Sequence, residues 1–199
     1  MVATRAPARA PGTGSGLQAD SSAPHLRPGG RWYREVTTAR HDGPVTELRF
    51  PDGQQMTVEE TRPDFVLSAW VPAGHRGPPA HRHRRQAETF TILQGRLLVR
   101  VGRFRRVLTA GESVTVPPGT THAFSNPYDE PVGFRTVESP AGPLHAQLQA
   151  LAAARGAPPL LELAEINAAH DWSFTLAGLP DGPQRVLWRA LAAAARLRR

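Results

Sequence analysis

No feature constrains the fold of this chain more than the spacing of four side chains, His81, His83, Glu88 and His122. On a β-strand, residues i and i+2 point to the same face. His81 and His83 can therefore aim at one point with Arg82 turned away. Glu88 follows the polar stretch Arg84-Arg85-Gln86-Ala87 and opens the run Thr89-Phe90-Thr91-Ile92-Leu93, which places it on the next strand segment. His122 follows Pro117-Pro118-Gly119-Thr120-Thr121, a turn signal, and opens a further strand, Ala123-Phe124-Ser125-Asn126. Groups on separate strands converge only if the sheet curls into a barrel. Three imidazoles and a carboxylate make a borderline ligand set for one divalent transition metal. An octahedral ion held this way keeps two positions open for dioxygen, water or a chelating substrate oxygen. Fe(II), Mn(II), Ni(II) and Co(II) suit such a site, and Zn(II) is allowed although it prefers four ligands.

The chain around these residues reads as short strands with Gly and Pro turns. Val45–Phe50 and Gln54–Glu59 flank Pro51-Asp52-Gly53, and Leu97–Val101 and Phe104–Leu108 flank Gly102-Arg103, two hairpin signals. Phe65–Val71, Ser113–Val116, His122–Asn126 and Val132–Val137 complete the set. Many short strands at regular spacing predict an antiparallel sandwich or barrel. Strand alternation puts Glu88, Phe90 and Ile92 on one face, and His122, Phe124 and Asn126 on another. If the ligands point inward, Phe90, Ile92, Phe124 and Asn126, with Phe134, line the same cavity and form the candidate substrate pocket. After Pro140 the period becomes helical. Leu144, Leu148 and Leu151 mark a first helix with Gly156 as its stop, and Pro159 to about His170 marks a second. Asp181 caps a third helix, with Leu187, Leu191 and Ala194 as its apolar stripe and Trp188 beside it.

Two segments resemble the paired signature motifs of the cupin superfamily. The first of these is Gly, five residues, His-x-His, three or four residues, Glu, six residues, Gly. The second is Gly, five residues, Pro-x-Gly, two residues, His, three residues, Asn. His81, His83, Glu88 and Gly95 fit the first, and Gly111, Pro117, Gly119, His122 and Asn126 fit the second at every fixed position. The one departure is Gly74, which stands six residues before His81 instead of five, in a loop. The resemblance is to small single-domain cupins of the quercetin-dioxygenase-like type. It implies a mainly β fold, a cupin-type antiparallel β-barrel (a double-stranded β-helix or jelly roll) with a C-terminal helical extension. It implies a metal held by His81, His83, Glu88 and His122. It also implies that Glu88 doubles as the base that accepts a substrate proton. The expected activity is that of a metal-dependent dioxygenase acting on an enolisable, phenolic or polyketide-like small molecule. The alternatives are a redox-neutral isomerase, cyclase or decarboxylase using the metal as Lewis acid, and a non-catalytic small-ligand-binding cupin.

Composition limits the other choices. The chain has 199 residues and 40% hydrophobic content, enough for one barrel core plus appendages. It contains no cysteine, which excludes disulfides and thiolate ligands, and no lysine, which excludes Schiff-base chemistry. The net charge of +7 is carried by the ends. Residues 1–34 hold +4 and residues 183–199 hold +5, while the middle holds −2. A basic platform for nucleic acid is therefore not expected. The C-terminal arginines, Arg196 among them, complement the negative end of the last helix. The expected organisation is a disordered segment 1–30, a barrel over 31–139 and a helical extension 140–199 packed on it. Without a secretory stretch or a run of eighteen apolar residues, the expectation is a cytoplasmic protein with a small-molecule partner, no membrane and no nucleic-acid contact, assembling as a homodimer.

Overall fold

The computed structural model describes residues 46–154 and 160–197. The expected disorder of residues 1–30, and Gly156 and Pro159 at the helix boundaries, lie outside the described residues. Among the described residues, ten strands precede the helices: β1 (Thr46–Arg49), β2 (Gln55–Glu60), β3 (Phe65–Val71), β4 (His81–His83), β5 (Ala87–Gln94), β6 (Arg96–Val101), β7 (Phe104–Thr109), β8 (Ser113–Val116), β9 (His122–Ser125) and β10 (Val132–Ser139). Then come helix α1 (Leu144–Ala153), helix α2 (Leu160–Ala169), strand β11 (Phe174–Leu176) and helix α3 (Asp181–Arg196).

The strands form two antiparallel sheets, ordered β1-β2-β3-β10-β5-β8 and β11-β4-β9-β6-β7. Their inner faces share one core. Phe65, Leu67, Phe90, Ile92 and Phe134 of the first sheet pack with Leu97, Val99 and Leu108 of the second. Alternation on β5 explains its orientation: Glu88, Phe90 and Ile92 are buried while the threonines between them are half-exposed. The threonines on the outer face make cross-strand hydrogen bonds to β8, Thr89 to Thr115 and Thr91 to Ser113, each 2.9 Å. Burying a phenylalanine side chain of this kind contributes roughly 1.5–3 kcal/mol, so the phase of β5 is strongly fixed.

The C-terminal part differs from expectation in two respects. A further strand, β11, follows α2 and was not expected. It pairs antiparallel with β4, Phe174 opposite His83 and Leu176 opposite His81. The apolar stripe of α3 is also displaced. Gln184, Trp188, Ala192 and Ala195 are its buried residues, whereas Leu187 and Ala194 are exposed. The reason is the small core that α3 shares with α2: Trp188 and Ala192 pack on Ala164, with Trp172, Leu176 and Leu191 around them. One large indole fills the gap between the two helices, so the stripe is drawn to its side of the helix and Leu187 is left outside.

Candidate metal centre

His81, His83, Glu88 and His122 are all buried, and one ligand atom from each lies within 4.8 Å of the others. The strand register brings them together. His81 lies opposite His122 across β4 and β9, and β5 delivers Glu88 from the facing sheet. The loop before β4 lies so close to β9 that a Cβ on Gly77 would stand 1.8 Å from the Phe124 carbonyl oxygen. A glycine with φ +70° is needed there, and it holds the approach to His81 against the sheet.

The hydrogen bonds orient each ring. His81 Nδ1 is 2.8 Å from the Pro79 carbonyl oxygen and His122 Nδ1 is 3.0 Å from that of Thr120. Both rings can donate Nδ1–H to those carbonyls and present Nε2 to the cluster. His122 Nε2 is 2.7 Å and His83 Nε2 is 3.5 Å from the same carboxylate atom, Glu88 Oε2. Among the described residues His83 Nε2 has no hydrogen-bond partner although it is buried. Three inward imidazole nitrogens around one carboxylate, with one of them unsatisfied, fit a divalent cation. The donor set is of intermediate hardness and matches Fe, Mn, Ni, Co or Zn.

The electrostatics agree with that fit. Burial, followed by the charges of His122 and His83, lowers His81 to about 4, so it is neutral and ready to donate its lone pair. Burial works against the charged form of Glu88, but the hydrogen bond from His122 and the nearby His83 imidazole outweigh it and hold the carboxyl well below the usual range. Burial likewise opposes protonation of His83, yet the nearby Glu88 carboxylate, with Glu138 behind, raises it above its ordinary value.

The expected pocket residues are placed as follows. Phe90, Phe124 and Phe134 pack on one another with ring centroids 5.2–5.9 Å apart. Phe90 lies 6.3 Å from the His122 ring, which makes these rings the apolar floor beside the cluster. Ile92 is buried in the same core. Asn126 is fully buried, but its amide is committed elsewhere. Nδ2 donates to the carbonyls of Pro72 (2.9 Å) and Glu130 (2.8 Å), and Oδ1 accepts from Tyr128 N–H. Its work is to tie loops together. His75 is likewise engaged outside the cluster, with Gln54 and Asp52.

Two residues at the site were not anticipated. Glu138 on β10 lies opposite Glu88 in the register, is fully buried, and has Oε1 3.5 Å from His83 Nδ1. Burial pushes it up to about 7, against the opposing charge of His83. Stepping by two from Phe134 along the strand leads through Thr136 to Glu138, a signal lost when the strand is ended at Val137. Phe174 on β11 is the other, its ring 5.0 Å from His81 and 6.0 Å from His83. The C-terminal extension thus supplies part of the wall around the histidines. Arg82, whose side chain turns away from the cluster, pairs with Asp181 at the start of α3 and fastens that wall.

Residues 69–138 match the family described as Cupin domain. A curated relative, "Probable oxidoreductase virH" of Hypocrea virens (strain Gv29-8 / FGSC 10586), is 32% identical over 108 residues, covering 53% of this chain and 48% of the relative. The chain spans about half the length of that relative. An RmlC-like cupin from Shewanella frigidimarina NCIMB 400 is similar at 23% identity and TM-score 0.45, over 51% of this chain and 89% of that one. A sugar phosphate isomerase from a cupin superfamily, from Silicibacter pomeroyi DSS-3, is similar at 19% identity and TM-score 0.43, over 47% and 70% of the two chains. The four clustered side chains all fall inside the matched segment, so the site lies within the part of the chain that carries a cupin domain.

Proposed function

We propose that this chain is a metal-dependent cupin enzyme, a dioxygenase acting on an enolisable or phenolic small molecule. The observation that carries the reading is the buried cluster of three inward imidazole nitrogens around one carboxylate. His81, His83, Glu88 and His122 would hold one divalent ion, which supplies Lewis acidity and a place for oxygen chemistry when bound. The kinship with a protein named as a probable oxidoreductase supports the oxidative half of the proposal. The chain's own residues do the rest. Glu88 is ionised and so stands in the form a base requires. The contacts that keep it ionised also lower its basicity, which favours a substrate whose proton is already acidic, as in an enol or phenol. Phe90, Ile92, Phe124 and Phe134 offer an apolar floor for such a ring, and Phe174 closes the side next to His81. The proposal includes a cytoplasmic, homodimeric protein with a small-molecule partner and neither membrane nor nucleic-acid contacts. Among the described residues, no helix is long and apolar enough to cross a membrane.

The test combines elemental analysis of protein purified without an affinity tag with oxygen-electrode measurements on enolisable aromatic substrates. One metal per chain and substrate-dependent oxygen uptake are expected. Turnover without oxygen uptake would replace the dioxygenase by a redox-neutral isomerase, cyclase or decarboxylase. Ligand binding without turnover would leave a binding module. Absence of metal from protein supplied with it would refute the proposal.

A further inference from the structure

We propose that Glu138 is a positioning residue of the metal centre, accepting Nδ1–H of His83 and fixing that ring to the start of helix α1. The inference rests on the reading of the cluster as a metal site. The two other histidines lean on carbonyls two residues back in their own chain, Pro79 and Thr120. His83 has no such support. Its Nδ1 instead faces Glu138 Oε1 at 3.5 Å, and among the described residues neither atom has a hydrogen-bond partner. Both side chains are almost wholly shielded from water, 2% exposed for His83 and 0% for Glu138. Two buried polar atoms facing each other with no other outlet are a hydrogen bond that a small ring rotation completes.

The other end of the carboxyl is anchored. Oε2 accepts from Gly142 N–H at 3.1 Å, one residue before the N-cap Pro143 of α1. Gly142 is hemmed in there, since a Cβ on it would stand 2.8 Å from the Gln86 amide nitrogen. Glu138 also lies level with Glu88 on the neighbouring strand, so β10 and β5 present one carboxyl to each nitrogen of the same imidazole. Outer carboxylates of this kind fix the tautomer and plane of a ligand histidine and raise its basicity, and their loss weakens metal binding 10–100-fold, as an order of magnitude. Of the three rings, His83 is then the one whose donor strength is set from outside its own strand.

The experiment uses the full chain and Co(II), whose visible spectrum reports ligand geometry. Wild type and Glu138→Gln are titrated against a competing chelator. An amide cannot accept from both His83 and Gly142, because one of its ends is a donor. The expected result is a loss of affinity of about 10–100-fold with a changed visible band, while the circular dichroism of the metal-free protein stays that of wild type. Wild-type affinity and an unchanged band in folded Glu138→Gln would overturn the inference while leaving the metal site standing. A wild type that takes up no cobalt would overturn both. Should the variant not fold, nitrogen-15 NMR of zinc-loaded wild type decides. His83 protonated at Nδ1, with slow exchange of that proton, supports the role, and a His83 proton on Nε2 overturns it.

Discussion

Replacing Asn167 by alanine should release the strand that walls the metal centre. β11 is the outermost strand of its sheet, and its two edges have different partners. Toward β4, Ser173 O accepts from Arg84 N–H (2.6 Å) and Ala177 N–H donates to Ala80 O (2.8 Å). The backbone N–H and C=O groups of Phe174 and Leu176 face the other way, where a neighbouring strand would normally stand. Two side-chain amides take its place. Asn167 donates to Phe174 O (3.0 Å) and accepts from Phe174 N–H (3.2 Å). Gln184 accepts from Leu176 N–H (2.7 Å) and donates to Leu176 O (3.1 Å). Asn167 is 1% and Gln184 is 3% exposed, so water does not compete for these bonds in the folded state. Asn167→Ala deletes two hydrogen bonds at about 1 kcal/mol each, and leaves two backbone groups that cost roughly 1–3 kcal/mol apiece if they stay dry. Partial wetting of the vacated space keeps the sum near 2–4 kcal/mol. At about 2–4 °C per kcal/mol for a chain of this size, the thermal midpoint should drop by roughly 5–15 °C. Gln184→Ala should behave alike, and the double variant should cost less than the two together, because the strand detaches as a unit. Thermal unfolding in the presence of chelator gives the stability, and hydrogen exchange at the Phe174 amide gives the local release. A loss under about 0.5 kcal/mol, the usual scale of a neutral surface change, with Phe174 still protected, would refute the amide clasp.

Other expectations concern the site itself. Glu88→Gln, loaded with metal, should turn over its substrate more slowly by about 10²–10⁴-fold if Glu88 takes a proton; near-normal turnover at full occupancy would reject that role. Metal affinity should rise with pH and then level off, because His83, held above its ordinary value, must lose a proton to bind, whereas His81, at about 4, is already neutral. Titration calorimetry in buffers of different ionisation enthalpy counts the protons released, and a pH-independent affinity would contradict the assignment. Gly77→Ala should cost at least about 2–4 kcal/mol, because a Cβ at φ +70° would overlap the Phe124 carbonyl. It should lower metal content along with stability, and a variant of wild-type thermal midpoint would show that the loop gives way freely.

The sequence by itself determined which side chains meet. A period of two on β4, β5 and β9 carries His81, His83, Glu88 and His122 inward whatever the details of the loops, because slipping a strand by one residue would expose Phe90 and Ile92 together with Glu88. The hairpin turn at Gly102, with φ +58°, was legible for the same local reason, since few residues other than glycine adopt that conformation readily. What surrounds the four was decided only by the tertiary structure. β11 is three residues long and lacks strand alternation strong enough to announce it. It exists because the open edge of β4 offers backbone partners on one side and the amides of Asn167 and Gln184 offer them on the other. Trp188, not the leucine stripe, chose the buried face of α3, because the gap between α2 and α3 fits an indole. Glu138 carries no motif at all. A buried carboxyl has meaning only through what it faces, and His83 reaches it from 55 positions away along the chain, through the closure of one sheet on the other.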